Sequence, residues 1–467
     1  MKILGIETSC DETAVAVVKD GREILSNVVV SQIDIFAEYG GVIPEVAARS
    51  HLEVMMPVID KALTDASCGW DDIDAIAVTH APGLLGSLLI GTLTARALAI
   101  LHNKPLYAVH HLKSHVYANW LDPGKQNSAF STRSGSEPVL SGTGVAPARR
   151  HGRSAPSSST KSRPLGVAST RNASVSSAQL LQRSVVTSGH PLKEGSRATS
   201  ASTTRTPVFP LLALVVSGGH TQILYMRGHN QFEIVGTTRD DAVGECFDKV
   251  AKILGLPYPG GPSIALAAED GDANKYRFPH PKIPGLDFSF SGLKTAVLRA
   301  VQKEVGVPIS YPSHKLAELL SPEQVSDFAA SFQKTAVEIL LEKLEMALGQ
   351  FPDTKAVVVA GGVSANEELR ARLESGFFSS VTRGEKSLEK KVSNKKVSNS
   401  DFSPVALRLY SSKNPDSSLP EIFFPVPSLS GDNGAMVAGA AYFEIQSGME
   451  PTDPYKLNIY PRISIEE

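Results

Sequence analysis

Cysteine is scarce in this chain of 467 residues, which contains three: Cys10, Cys68 and Cys246. Because they lie far apart in the sequence, the chain offers neither a disulfide framework nor the four thiolates of a structural metal site. We therefore expect a protein of a reducing compartment, the cytoplasm.

A long apolar run is also missing. The longest candidate, residues 83–101, is interrupted by three hydroxyl side chains and by Arg96, so it falls short of the roughly 20 apolar residues that span a membrane. The first residues turn acidic at Glu7 and lack the regions of a signal peptide. We expect no membrane segment, and a hydrophobic content of 42% with a net charge of -2 is typical of a soluble globular protein.

Aromatic and acidic side chains are nearly absent from residues 123–206. This stretch has 28 Ser or Thr in 84 positions, one aromatic residue (Phe130), and 12 Lys or Arg against two acids. Because so few apolar side chains cannot offset the entropy lost on ordering, we expect a disordered, low-complexity insertion at 123–207. Its charge of about +10 leaves the rest of the chain at about -12.

A second unusual stretch spans residues 374–420. It contains a tandem Lys-Lys-Val-Ser-Asn repeat at 390–399, and no long periodic element fits it. We interpret it as a second low-complexity surface insertion. The remaining sequence then divides into an N-terminal lobe at 1–122, a second lobe at 208–373 and a C-terminal segment at 421–467 with a closing helix.

Outside the insertions, the patterns of strands and helices alternate. Strands are predicted at 2–7, 14–18, 73–79, 211–216, 221–226 and 356–360, and helices at 86–101 and from residue 367.

Polar or glycine-rich turns recur at equivalent places in this pattern. A strand, a turn and a second strand occur once in each half, with turns at 8–13 and 217–220, and a third turn at 361–366 leads into a helix. Backbone N–H groups in such turns can hold phosphate oxygens, although a single glycine turn is more often only a turn. The repeat predicts two duplicated α/β lobes with a nucleotide-binding cleft.

Two histidines, His111 and His115, lie four residues apart in the segment Val-His-His-Leu-Lys-Ser-His-Val. On a helix, this spacing places both imidazoles on one face about one turn apart, which suits adjacent positions around a metal ion. A pair of surface histidines is the alternative, and His110 would point elsewhere. A zinc-peptidase motif needs Glu directly after the first histidine, and Leu112 occupies that position.

The best candidate for a third ligand is Asp432, which stands where a helix begins and is followed by small residues. The alternative is an ordinary aspartate that caps the helix N-terminus. Two imidazoles and one carboxylate leave positions open for water or substrate, as a catalytic ion requires.

Ten motifs, in one order, resemble the bacterial tRNA threonylcarbamoyladenosine transferase family and cover essentially everything outside the insertions. They are GIETSCDET at 5–13, YGGVIPE at 39–45, HHLKSH at 110–115, SGGHT at 217–221, DDAVGE at 240–245, FDK at 247–249, YPGGP at 258–262, FSFSGLKT at 288–295, AGGVSAN at 360–366 and DN at 432–433. Departures at Ser114, Cys246 and Ser430-Gly431 remove no proposed ligand. The two insertions are the larger departure and put the docking of tRNA or partner proteins in doubt.

The resemblance implies the fold of actin, sugar kinases and chaperone ATPases, with two duplicated lobes and the active site in the cleft between them. It implies an acyltransferase that moves the threonylcarbamoyl group from threonylcarbamoyl-AMP to the exocyclic amine of the adenosine next to the anticodon of tRNA, releasing AMP. By motif position, it implies one divalent metal ion, iron by resemblance with zinc also suited, on His111, His115 and Asp432. Asp11 and Glu12 would face the cleft as catalytic acids, or else be two solvated turn residues.

The substrate would lie against a further set of residues that the motifs supply. These are Val215, Val216, Ser217, Gly218, Gly219, Asp248, Gly261 and Asn366. The glycines would admit close backbone approach, Asp248 would accept from ribose hydroxyls, and Asn366 would read an adenine or ribose edge.

Partners and alternatives follow from the same resemblance. Related bacterial systems use a scaffold paralogue and a small ATPase as helpers, and tRNA is the substrate. A sugar-kinase-like phosphotransferase of the same fold would explain the glycine turns but not two histidines with Asp432. A non-catalytic scaffold paralogue would be expected to lack these three residues.

Overall fold

The computed structural model of the chain describes residues 1–37, 39–123, 207–375 and 420–462. The insertions expected at 123–207 and 374–420 lie almost entirely outside these residues, so their disorder stays a prediction.

Ten strands and ten α-helices are formed by the described residues. The strands are β1 Lys2–Glu7, β2 Glu12–Lys19, β3 Glu23–Ser31, β4 Ala75–Ala81, β5 Leu106–His110, β6 Leu211–Val216, β7 Thr221–Gly228, β8 Gln231–Thr237, β9 Ala356–Ala360 and β10 Glu421–Phe423. The helices are α1 Ile33–Ala37, α2 Pro44–Asp65, α3 Leu85–Leu101, α4 His111–Tyr117, α5 Val243–Leu254, α6 Gly260–Ala268, α7 Ser291–Glu304, α8 Pro322–Gln350, α9 Glu367–Ser375 and α10 Gly434–Gln446.

The first lobe is built on a five-stranded sheet in the order β3-β2-β1-β4-β5. Strands β1, β2 and β3 pair antiparallel, whereas β1, β4 and β5 pair parallel. Because successive side chains of β1 point to opposite faces, Leu4 and Ile6 join a core under α2 and α3, while Ile3 joins the core on the other face.

The second sheet repeats this plan in the order β8-β7-β6-β9-β10. Strands β6, β7 and β8 pair antiparallel, and β6, β9 and β10 pair parallel. All six residues of β6, Leu-Leu-Ala-Leu-Val-Val, are buried, as expected for a central strand covered on both faces. The prediction of two duplicated α/β lobes is confirmed.

Helices α4 and α10 lie between the two sheets. A single hydrophobic core contains Val116 from α4, Ala438 from α10, Ile3 from the first sheet, and Val215 and Val358 from the second. After β10 in the second sheet, the chain returns to the first lobe, where α10 packs on β1, β2 and α4. The C-terminal segment therefore contributes to both lobes.

Small residues allow α10 to approach β1 closely. A Cβ atom on Gly5 would overlap the carbonyl oxygen of Gly434 and lie 2.7 Å from the backbone nitrogen of Ala438. A Cβ on Gly434 would lie 2.6 Å from the nitrogen of Ala16. The start of α10, and with it Asp432, is thereby held against the carboxyl end of β1.

The predicted elements agree well with the observed ones. The strands predicted at 2–7, 211–216 and 356–360 have the observed bounds, and the helix predicted at 86–101 begins one residue earlier. Among the described residues, no helix combines the length and the apolar character that crossing a membrane requires.

Candidate metal centre and substrate cleft

The histidine pair lies on α4, which begins directly after β5. The Nδ1 atom of His110 accepts a hydrogen bond from the backbone N–H of Leu112 at 3.3 Å, so His110 caps the helix and points away from the pair, as predicted. His111 and His115 follow one turn apart, with ring centroids separated by 4.6 Å, and both are buried. The surface-pair alternative is therefore wrong.

Asp432 lies directly before the residue that caps α10. Asn433 is the cap, since its Oδ1 accepts from the backbone N–H of Met436 at 2.9 Å. The alternative of Asp432 as an ordinary N-cap is therefore wrong, and its carboxylate is directed at the histidines. Asp432 Oδ1 lies 3.0 Å from His115 Nε2 and 3.6 Å from His111 Nε2. One ligand atom from each of the three residues falls within 4.8 Å of the others.

A buried glutamate, Glu7, supports this cluster. At the end of β1, its Oε2 accepts from His111 Nδ1 at 3.2 Å and from the Thr79 hydroxyl at 2.5 Å, while its Oε1 accepts from the Ser9 N–H at 2.5 Å. With Nδ1 donating to Glu7, the Nε2 atom of His111 is directed toward Asp432 and His115, and a metal ion bound there would replace the proton on Nε2. Our sequence reasoning assigned Glu7 no role. Its position at a strand end, followed by polar Thr8 and Ser9, was the available signal.

The cluster favours a cation. Burial alone would lower the pKa of His111, but Asp432 and Glu7 on either side raise that pKa to about 9. Burial would raise the pKa of Asp432, yet His111 and His115 hold that pKa well below its usual range. The buried Glu7 and the half-buried Asp432 lie beside imidazole nitrogens and form a donor set that fits a divalent ion such as zinc or iron, which would replace the imidazolium proton.

Asp11 directly precedes β2, and Glu12 is its first residue. Because Asp11 is only 8% exposed, the alternative of a solvated turn residue is wrong for Asp11. Burial raises the pKa of Glu12 well above its usual range and raises the pKa of Asp11, and each acid also interacts with the other. The Ser31 hydroxyl donates to Glu12 Oε1 at 3.3 Å. His51 fixes the turn through its Nε2, which donates to the carbonyl oxygen of Cys10 at 3.0 Å.

The second lobe contributes the glycine turn between β6 and β7. Val215 and Val216 are buried in β6, and Ser217 N–H donates to the His220 carbonyl at 2.8 Å to close the turn. Gly218 and Gly219 are exposed, and an added Cβ on either would meet no atom within 4 Å. The turn lies at the N-terminus of α5, where backbone N–H groups and the helix dipole favour a phosphate.

Asp248 and Gly261 lie side by side on adjacent helices. Asp248, on α5, accepts from the backbone N–H of Gly260 at 2.7 Å. Gly261 is the second residue of α6, and a Cβ added there would meet no atom within 4 Å. Burial raises the pKa of Asp248 to about 6. The hydrogen bond from the Gly260 N–H acts in the opposite direction, and the charge of Asp11 adds to the rise. Asp11 of the first lobe thus lies near Asp248 of the second.

Asn366 has a structural role at the next turn. Its Oδ1 accepts from Leu369 N–H at 3.0 Å, at the start of α9, and its Nδ2 donates to Gln333 at 2.8 Å. One N–H of the amide remains for a ligand. Because β9 pairs parallel with β6, the turn that begins at Gly361 lies beside Val216, and the second-lobe residues predicted to bind substrate share one edge of the sheet.

One further side chain faces the metal cluster from the second lobe. The ring of His220 lies 6.4 Å from that of His111, between centroids, at a tilt of 51°. The cluster therefore lies between the two sheets. Our sequence reasoning placed His220 in the turn but gave it no role.

Comparisons with known proteins agree with this site. A family model described as "TsaD: tRNA N6-adenosine threonylcarbamoyltransferase" matches residues 23–136 and 195–384, more than half of the chain. A protein of that name from Thermomicrobium roseum is 37% identical over 457 residues, covering 96% of this chain and 93% of its own. Another, from Dehalococcoides mccartyi, is 37% identical over 466 residues, covering 100% and 99%.

Among solved structures, a ROK family protein from Streptococcus pneumoniae in complex with sucrose aligns with 96% of this chain and 99% of its own, at 10% identity and a TM-score of 0.34. A score this low supports no argument, and the fold assignment stands on the strand order of the two sheets.

Proposed function

The chain belongs to the tRNA N6-adenosine threonylcarbamoyltransferase family, and on this premise we propose that His111, His115 and Asp432 hold the metal ion with which it transfers a threonylcarbamoyl group to tRNA. The donor is threonylcarbamoyl-AMP, and the acceptor is the exocyclic amine of the adenosine next to the anticodon. The observation that carries the proposal is the convergence of three ligand atoms within 4.8 Å, between two lobes whose turns suit a nucleotide.

The ion is iron or zinc, because imidazole and carboxylate ligands suit both, with iron favoured by the resemblance. When bound, it would act as a Lewis acid that draws electron density from an oxygen of the acyl phosphate. Glu7 keeps His111 in the tautomer that can bind it.

The second lobe would hold the adenylate. The open turn at Ser217, Gly218 and Gly219 would receive the phosphate on its backbone N–H groups, with Val215 and Val216 fixing the strand below. A ribose hydroxyl would donate to Asp248, the space at Gly261 would admit the nucleoside, and the free N–H of Asn366 would reach an adenine or ribose edge.

The reaction itself is an acyl substitution. The amine nitrogen forms a bond to the carbamoyl carbon, the bond from that carbon to the phosphate oxygen breaks, AMP leaves with that electron pair, and the amine loses one proton. The amine is a poor nucleophile because its lone pair is delocalised into the ring. Positioning of the two reactants between the lobes can supply about 7–11 kcal/mol in ideal cases.

Asp11 and Glu12 would act next to the reacting groups. Burial raises the pKa of both acids, and an acid that keeps its proton would repel an anionic substrate less than a carboxylate does. The charge of Asp11 acts on Asp248 of the second lobe, and this proximity supports a role in which the pair would contact the bound substrate.

A sugar-kinase-like phosphotransferase is disfavoured by the family assignment and leaves the three-residue cluster without a use. A non-catalytic scaffold paralogue would have no need to keep that cluster buried with Glu7 behind it.

The partners would include tRNA, a scaffold paralogue and a small ATPase, in the cytoplasm. One face formed by α2 and α3 supports a protein partner, since it exposes a row of large apolar side chains. They are Leu52, Met56, Leu85, Leu89 and Leu93. An apolar face of this kind on a monomer marks an interaction site.

The decisive test measures metal content and transfer together. The protein and its helpers are incubated with tRNA, ATP, bicarbonate, threonine and the adenylate-forming enzyme, and the nucleosides are analysed by mass. We expect His111→Ala to lose both the metal and the modified adenosine, whereas His314→Ala, at an exposed histidine, retains both. Full activity in metal-free His111→Ala protein would refute the proposal.

A further inference from the structure

The residues of the metal cluster all come from one side of the cleft. His111 and His115 lie on α4, and Asp432 precedes α10, which packs on β1 and β2 of the first sheet. A molecule bound at the cluster therefore needs contacts from the opposite side to be held in one orientation.

His220 is the second-lobe side chain that the structure places on that opposite side. Its ring centroid lies 6.4 Å from that of His111, and the charges of His111, His115 and Asp432 all act on it. At this separation, a small group bound at the cluster could contact the rings of both His111 and His220. His220 is not among the three residues whose ligand atoms converge.

The backbone around His220 is fixed while its ring is available. Its N–H donates to Ser217 Oγ at 3.1 Å, and its carbonyl oxygen accepts from Ser217 N–H at 2.8 Å. Among the described residues, no hydrogen bond uses either ring nitrogen. The ring is half-buried, and the neighbouring Gly218 and Gly219 border open space. A polar side chain held in this way is directed at a ligand.

Hydrogen-bond donation by the ring does not depend on its protonation state, since a neutral imidazole carries one N–H donor and an imidazolium carries two.

Resting on the proposed function, we propose that His220 is a substrate-contacting residue whose ring N–H donates a hydrogen bond to an oxygen of the threonylcarbamoyl phosphate anhydride. As the amine nitrogen bonds to the carbamoyl carbon and the carbon–oxygen bond to AMP breaks, negative charge grows on the oxygens around that carbon. A preorganised donor there stabilises the transition state more than the bound substrate. His220 thus completes, from the second lobe, a site whose other half lies on the first.

The test compares His220→Ala, His220→Gln and His314→Ala with the wild type in steady-state transfer, with metal content measured on the same samples. We expect His220→Ala to lower kcat by about 100-fold or more with KM within a few-fold of wild type. His220→Gln, which retains an N–H donor, should recover about ten-fold of that loss, and the metal content of all variants should equal that of the wild type.

Three outcomes would overturn the inference. A kcat of His220→Ala within three-fold of wild type would show that His220 makes no contact that speeds transfer. A loss of metal in that variant would show that His220 is a metal ligand instead. If His220→Ala does not fold, His220→Met, which has no N–H donor, is compared with His220→Gln, and equal kcat values for these two variants would overturn the inference. Failure of the proposed function is distinguished because the wild type itself would then yield no modified adenosine.

Discussion

Replacing Glu7 by Gln removes one charge and one acceptor from behind His111 while keeping the shape of the side chain. The Ser9 N–H faces Oε1 at 2.5 Å and cannot rotate away, so the amide oxygen must lie there. The amide NH₂ group then faces His111 Nδ1, 3.2 Å from Oε2 in the wild type, where Nδ1 is itself the donor.

Two donors cannot face each other at that distance, and the Ser9 hydroxyl, also 3.2 Å from Nδ1, can donate to that nitrogen, so the substitution favours the tautomer with its proton on Nε2. That atom points at Asp432 Oδ1, 3.6 Å away, and a protonated Nε2 cannot bind a metal. Loss of such an outer carboxylate lowers metal affinity by about 10–100-fold, equivalent to about 1.4–2.7 kcal/mol.

Competition between the protein and a chromophoric chelator for Zn²⁺ measures this change directly. Glu444→Gln is the matched control, because Glu444 is equally buried and charged but pairs with Lys113 instead of a cluster histidine. We expect weaker metal binding in Glu7→Gln alone. Equal zinc affinities for Glu7→Gln and wild type, in folded protein, would show that Glu7 does not set the tautomer of His111.

Two further variants test the helix cap beside Asp432 and the pH dependence of stability. Asn433→Ala removes the hydrogen bond to Met436 N–H at the start of α10 and should lower the free energy of unfolding by about 1 kcal/mol in chemical denaturation, while an unchanged midpoint would show that the cap is not needed. His280→Gln tests pH dependence: Glu338 and Glu342, whose carboxylates accept from the ring N–H groups of His280, raise the pKa of His280 to about 9, above its unfolded value of 6.5. Its stabilisation is therefore complete below about pH 6.5 and is lost as the pH rises through about 9. With a side chain 31% exposed, we expect His280→Gln to be less stable by about 1 kcal/mol at pH 6 and equal to wild type at pH 10, and a pH-independent difference would contradict this assignment.

The central strands could be predicted from sequence because they are buried on both faces. β1, β6 and β9 read as continuous apolar runs bounded by polar turns, and their predicted bounds match the observed ones. The edge strands β3 and β8 were not predicted, since each is only partly buried and mixes polar with apolar residues. Such a pattern gives a weak signal until a neighbouring strand is known.

Some residues of the candidate site could be predicted from the sequence more readily than others. The spacing of His111 and His115 is local, so a helical periodicity was enough to bring their rings together. Asp432 comes from the far end of the chain, and its place at a predicted helix start made it a candidate that local sequence could not separate from a capping residue until the resemblance supported it. Glu7 and His220 carry no local pattern that separates them from ordinary residues at a strand end and in a turn, and three-dimensional proximity to His111 identifies both.

The proposed metal centre depends on a close backbone contact two residues from Asp432. Asp432 reaches the histidines because α10 returns from the second sheet and starts directly against β1, and this approach is possible because neither Gly5 nor Gly434 carries a Cβ. The same helix packs on α4, which carries His111 and His115, so the position of all three ligand atoms follows from one packing arrangement. A side chain at Gly5 would push α10 away from β1 and separate Asp432 from the imidazoles without altering any of the three proposed ligands. Small residues at the start of α10 are therefore as necessary to the site as the acid that precedes them.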